Sequence, residues 1–394
     1  MSPQLRRLGS LTAALLAAAA SLVTGASTPS YAAECNAAAR SDELLAAPWP
    51  LTRLAPERVY PLTTGEGVVV GLIDSGVGHH PALDGRVTGG VNFVTEPANE
   101  VAGPRCDLAT HGTLVAGIIA GRQDPASLFH GIAPDAEILP IRVLAKNPSD
   151  GRTQDTAPII RGIEYAVAKK VGVINMSLTA DPSEALKRAV KKAADAGIVI
   201  VVAAGNGGEN SGPEYPAAYN ADFPEVIGVA ALDQNGAWSS SSSAGPMVDV
   251  AAPGVLIDGP AAAGNGYTRS EAGGTSFAAG YVSGTAALLR RYYPDMSAAD
   301  IVARIKATAI HPPGGHDQRV GYGEIDPYRA VTAPLTAPDV IGSAPLSAPE
   351  LGADEMASTR GPALLVGVLG VGAIVVLAAA RFAIPRGRRR GWKG

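Results

Sequence analysis

The sequence predicts an α/β layer fold, a parallel sheet wrapped by helices. Two observations predict it: short β-branched runs, and helical patterns lying between them. Strands buried on both faces read as continuous Val/Ile/Leu runs rather than as alternating ones. In order, the runs are VVVGLI (68–73), ILPIRV (138–143), VGVIN (171–175), IVIVVA (198–203) and VIGV (226–229). The segments 156–170 and 181–197 repeat apolar residues at three and four and are expected to be helices. The second is expected to open on Asp181 as N-cap, with Pro182 at the first position and Glu184 behind it, and to close at Gly197. Ser297 and Asp300 have capping-box-like order ahead of a further helix. Strands alternating with helices place the chain among layered α/β domains.

Composition and the two ends set the frame. At 394 residues, 46% hydrophobic and 17% charged, the chain can bury one large core and carry appendages, and it is not a disordered protein. A net charge of -4 offers no basic surface to recruit nucleic acid, and no Cys/His cluster has zinc-finger spacing. Residues 1–32 have Arg6 and Arg7, an apolar run and a small-residue end at Ala32, the order of a secretory signal peptide. Glu34 argues against lipid attachment at Cys35. A short extension (33–60) precedes the folded domain (61–332), and a Pro/Ala-rich linker (333–360) follows it. Residues 361–381 are apolar enough to span a bilayer as a helix, and the tail 382–394 is basic. Lys and Arg favour the cytoplasmic side, so the expected topology is single-pass in the cell membrane, with the tail inside and the folded domain outside. Cys35 and Cys106 are the two cysteines, and in an exported chain they most simply pair; two free thiols are the disfavoured alternative.

Four polar residues stand where chemistry could be built. Asp74 ends a strand run, a place where α/β folds assemble sites. His111 starts a small-residue helix, and Gly112 beside it allows another backbone to approach closely. Asn206 ends a third run; alone it would be a turn residue. Ser276, in GGTSFAAG, reads alone as an N-cap, and the nucleophile reading requires a base, an orienting acid and an oxyanion donor. His79 and His80 have no third metal ligand nearby, and GEGVVVG precedes a strand instead of linking strand to helix. No metal, cofactor or nucleotide is therefore expected.

Together, Asp74 in DSG, His111 in HGTLVAG, Asn206 in AAGN and Ser276 in GTSFA resemble the subtilisin-like serine proteases of peptidase family S8, in that family's chain order. The likeness covers residues 60 to 332 and implies the subtilisin-like three-layer fold. It also implies serine endopeptidase activity with Asp74, His111 and Ser276 as triad, and Asn206 with the Ser276 N–H as oxyanion hole. The same likeness implies that Ser177, Leu178, Thr179, Ala204 and Gly205 meet the substrate. The lead-in PWPLTRLAPERVYPLTTGEG, the cysteine placement and the C-terminal span resemble the mycosins, membrane-anchored proteases associated with type VII secretion. That likeness implies exported protein or peptide substrates and membrane components of a type VII secretion complex as partners. The short extension cannot hold a folded pro-domain, so maturation without cleavage is expected. Two departures qualify the likeness. Thr179 stands where relatives have glycine and is expected to narrow the substrate pocket. Gly280 stands where proline is usual and is expected to loosen the first turn by about 1 kcal/mol. The rival reading is a structural subunit of the secretion complex in which proteolysis is secondary.

Overall fold

A computed structural model of the chain describes Cys35, Ala37 and residues 39–40, 42–94, 103–123, 127–145, 152–153 and 155–334. The expected signal peptide, most of the linker, the span and the basic tail lie outside the described residues. Among the described residues, no helix is long and apolar enough to cross a membrane.

The first half contains β1 (Ala39–Arg40), α1 (Trp49–Leu54), β2 (Val69–Asp74), β3 (Val91–Asn92), α2 (His111–Ala120), β4 (Glu137–Arg142) and β5 (Arg152–Thr153). Then come α3 (Ala157–Ala168), β6 (Val173–Met176), β7 (Thr179–Ala180), α4 (Glu184–Asp195), β8 (Val199–Ala203) and β9 (Val226–Leu232). The chain closes with β10 (Val250–Pro253), β11 (Ile257–Pro260), β12 (Ala263–Gly264), β13 (Tyr267–Ser270), α5 (Thr275–Tyr292), α6 (Ala298–Thr308) and α7 (Pro327–Thr332). Seven strands form one sheet in the order β10-β9-β8-β6-β2-β4-β3, and every pair in it is parallel.

Successive strand residues face opposite ways, which fills two cores. Val70, Leu72, Val199 and Val201 join the side chains of α2, α5 and α6 on one face. Ile73, Ile200 and Val202 meet α3 and α4 on the other. Helix, sheet and helix thus make three layers, and each buried aliphatic side chain stabilises them by about 1.5–3 kcal/mol. Because β8, β6 and β2 are neighbours, their carboxyl ends bring Asn206, Ser177 and Asp74 to one edge of the sheet.

Several local expectations need correction. α4 is capped by Ser183 and not by Asp181: Ser183 is extended, and its Oγ accepts from Leu186 N at 3.1 Å, so Pro182 stands outside the helix. α6 does start from Ser297, whose Oγ accepts from Asp300 N at 3.1 Å. β9 runs on to Leu232, past the expected 229, because Ala230 and Ala231 carry little strand signal. Gly280 is a packing residue: a Cβ there would stand 3.0 Å from Ile118 Cγ2, so its small size lets α5 lie against α2. His80 does lie in the loop after β2, and it is buried there, with Nε2 3.0 Å from the Gly266 carbonyl and Nδ1 accepting from Ala82 N.

The extension is built into the body of the domain. β1 pairs with β12, and Trp49 Nε1 donates to the Val255 carbonyl at 3.0 Å. Cys35 and Cys106 form a disulfide with Cα atoms 5.3 Å apart, closing a separation of 71 residues.

Candidate active site

Asp74 is the last residue of β2 and is fully buried; His111 is the first residue of α2 and is 7% exposed. Their approach depends on Gly112, where a Cβ would come within 2.1 Å of the Gly76 carbonyl oxygen. His111 Nδ1 donates to Asp74 Oδ1 at 2.7 Å. A carboxylate can only accept, so Nδ1 carries the proton and Nε2 of the neutral ring is left as an acceptor. Burial alone would lower the proton affinity of His111. The charge of Asp74, its hydrogen bond and the charge of Asp107 outweigh burial, and the imidazole is held above the ordinary histidine value.

Ser276 is not a cap. Gly274 occupies the N-cap position of α5, and Ser276 lies in the first turn, 9% exposed. Its Oγ donates to the Ser177 carbonyl at 3.0 Å, and its own carbonyl is 2.8 Å from Ser177 Oγ. This reciprocal pair ties the start of α5 to the chain leaving β6. The Ser276 N–H belongs to the first helical turn, where an amide has no partner in its own helix.

Asn206 follows β8 and is exposed. Its Oδ1 accepts from Thr275 N at 3.0 Å and from Thr275 Oγ1 at 3.2 Å. A backbone N–H can only donate, so the oxygen of the amide is fixed and its NH2 remains as a donor. Gly205 N in turn donates to Thr275 Oγ1 at 3.1 Å, which aims the threonine proton at Asn206. Together, an oriented base, a hydroxyl in a helix's first turn and a fixed amide donor can add a hydroxyl to a carbonyl and stabilise the oxyanion that forms.

The residues expected to meet substrate divide. Ser177 and Gly205 are bonded into the site as described. Leu178 turns its side chain into the core beneath, and Ala204 is fully buried in a small cluster with Val248 and Ala251. Thr179 is buried and paired through β7 with β5. His111 itself helps line a cleft of about 200 Å³, with Thr110, Leu114, Thr268 and Phe277. Among the described residues, no group of three His, Cys, Asp or Glu could hold a metal ion.

Sequence reasoning missed Thr275, Ser75, Asp107 and Thr113. Ser75 Oγ lies 2.8 Å from Asp107 Oδ1, and Asp107 Oδ2 accepts from Thr113 N at 2.8 Å. All four sit inside or beside the motifs DSG, CDLATHGT and GTSFA, which was the available signal.

Comparisons with known proteins identify the family of the chain. Residues 65–323 match the subtilase family, peptidase S8. Mycosin-1 of Mycobacterium tuberculosis is 36% identical over 391 residues, covering 85% of this chain and 86% of that protein. Subtilisin E of Bacillus subtilis is 40% identical over 250 residues, 63% of this chain and 62% of that protein. A crystal structure of MycP1 from the ESX-1 type VII secretion system superposes with a TM-score of 0.64 at 32% identity, covering 76% of this chain and 88% of that one.

Proposed function

The chain belongs to the subtilase family of serine proteases and resembles its mycosins, and from that premise we propose a membrane-anchored endopeptidase acting on exported proteins beside a type VII secretion complex. Ser276 is the nucleophile, His111 the base, Asp74 its orienting acid and Asn206 the oxyanion donor. The observation that carries this reading is the 2.7 Å bond from His111 Nδ1 to Asp74 Oδ1, which leaves Nε2 of the neutral ring as an acceptor.

In the reaction, the Ser276 hydroxyl turns from the Ser177 carbonyl to His111 Nε2 and gives up its proton as Oγ attacks the peptide carbonyl carbon. The oxyanion is held by the Asn206 amide and the Ser276 N–H. His111 then donates its proton to the leaving amine, and the resulting acyl ester is hydrolysed by water activated in the same way.

The signal peptide at 1–32 and the span at 361–381, followed by the basic tail, support a domain held outside the membrane by the linker 333–360. The likeness to MycP1 from the ESX-1 type VII secretion system supports the same placement for this chain. The test is peptide hydrolysis and labelling by a serine-directed phosphonate for wild type, Ser276→Ala and His111→Ala. Both variants are expected to lose both activities, and full labelling of Ser276→Ala would refute the assignment.

A further inference from the structure

α2 presents His111 at its first position, yet the helix does not cap itself. The N-cap residue, Thr110, lies in the left-handed region at φ 62° and makes no side-chain cap bond. The N–H groups of the first turn are met from outside: Gly112 N donates to Ser75 Oγ at 3.1 Å, and Thr113 N to Asp107 Oδ2 at 2.8 Å. Asp107 has no exposed surface and collects three more donors. Thr113 Oγ1 reaches Oδ2 at 2.6 Å, while Ser75 Oγ and Ala109 N reach Oδ1 at 2.8 and 3.0 Å. Burial pushes the Asp107 carboxyl up, and the bonds from Thr113 and Ser75 counter that push. One carboxylate oxygen would suffice to cap the helix; the second is committed to Ser75.

Ser75 has one hydroxyl proton and two carboxylates within reach. Asp107 Oδ1 is 2.8 Å away and Asp74 Oδ1 is 3.1 Å away. Asp74 Oδ1 already accepts from His111 Nδ1 and from Ser75 N, each at 2.7 Å. A third donor on that oxygen would spread its charge and weaken its hold on the imidazole.

We propose that Asp107 is a positioning residue for the His111–Asp74 pair: its carboxylate clamps the first turn of α2 and claims the Ser75 hydroxyl proton, leaving Asp74 Oδ1 to His111. The proposal rests on the reading of His111 as the base. Asparagine at 107 would keep an oxygen toward Thr113 and turn its NH2 toward Ser75, which would then donate to Asp74. The other charged groups around His111 are few. Asp74 faces it from β2 and Asp107 from the segment before α2. Arg269 of β13 lines the same cleft, held by Asp258 at 2.8 Å, and Arg142 of β4 donates to the Ser75 carbonyl at 3.1 Å. α5 contributes the neutral Phe277 ring. Removing the Asp107 charge and sharing Asp74 with a third donor act in one direction: His111 takes up its proton less readily.

The test measures kcat and KM for peptide hydrolysis against pH in the full-length protein, solubilised from membranes, for wild type, Asp107→Asn, Ser75→Ala and the double variant. Asp107→Asn is expected to lower kcat about tenfold with KM within about twofold, and to move the acidic limb of kcat/KM down by about half a pH unit. In the Ser75→Ala background the same substitution is expected to move the limb by less than half as much. A fixed limb with reduced activity would mark Asp107 as merely structural, and an equal shift in both backgrounds would mean that its charge acts without Ser75; either overturns the proposal. Should Asp107→Asn fail to fold, Asp107→Glu decides: the retained carboxylate is expected to leave the acidic limb within about 0.2 pH unit of wild type while its displaced clamp lowers kcat, and a limb moved down by about half a unit overturns the proposal. Full hydrolysis by His111→Ala would instead refute the underlying reading of the base.

Discussion

On one side of Ser276 the polar groups are buried and charged: Asp74 and Asp107 have no exposed surface, and His111 has little. On the other side they are neutral and wet: Asn206 is exposed and anchored by the amide and hydroxyl of Thr275. Charges kept from water interact more strongly, so the acid–base side works through exclusion and proton placement. A neutral donor at the solvent edge gains little from its surroundings and works through orientation. The two sides should therefore fail differently when damaged.

The largest effect belongs to the junction itself. Ser276→Ala or His111→Ala should each reduce kcat about 10⁶-fold, because nucleophile and base act as a unit, and the double variant should lose little more. Next comes the wet side: Asn206→Ala should cost about 10²–10³ in kcat with KM nearly unchanged, since the amide acts on the oxyanion and not on bound substrate. Steady-state peptide hydrolysis checks both.

The buried side should show itself through pH. Imidazolium cannot act as base, and His111 is held above the ordinary value of about 6.5, so kcat/KM should rise with pH through a midpoint above that value. Below the midpoint the loss approaches about tenfold per pH unit. Stability has the matching sign: the ion pair stabilises the fold fully below about 6.5, and that contribution is lost as pH rises through the folded-state value. A midpoint below 6.5 would contradict the assigned environment. Thr275→Val should then cost about tenfold in kcat, less than Asn206→Ala, because the Thr275 N–H still holds Asn206 Oδ1. Smallest of all, replacing Cys35 and Cys106 by serine should leave kcat within about threefold. The same change should lower thermal stability by about 4 kcal/mol for a loop of this length, read by calorimetry.

The sequence revealed the two sides unequally. Strands β2, β6 and β8 were visible because burial on both faces demands unbroken β-branched runs, and those strands fix where Asp74, Ser177 and Asn206 lie. β10 to β13 were not anticipated, because VAAP, IDGP and AG are rich in the Ala, Asp, Gly and Pro that strands disfavour, and YTRS is only four residues long. The cap of α4 was misplaced by two residues, since Asp181 and Ser183 are both good caps and only the bond to Leu186 N separates them. Asp74, His111, Asn206 and Ser276 each stood in a recognisable short motif. Thr275, Ser75 and Asp107 lie in or beside the same motifs, but their hydrogen bonds join segments distant in the chain, and a local pattern marks the residues without showing those partners.

Ser276, served by His111 and Asp74, is the proposed nucleophile. Its most direct test is to react the full-length protein with a fluorophosphonate across pH and locate the adduct by mass spectrometry. One adduct is expected, on Ser276, forming faster as pH rises through a midpoint above about 6.5 and absent from His111→Ala. An adduct on another residue, or equal labelling of His111→Ala, would contradict it.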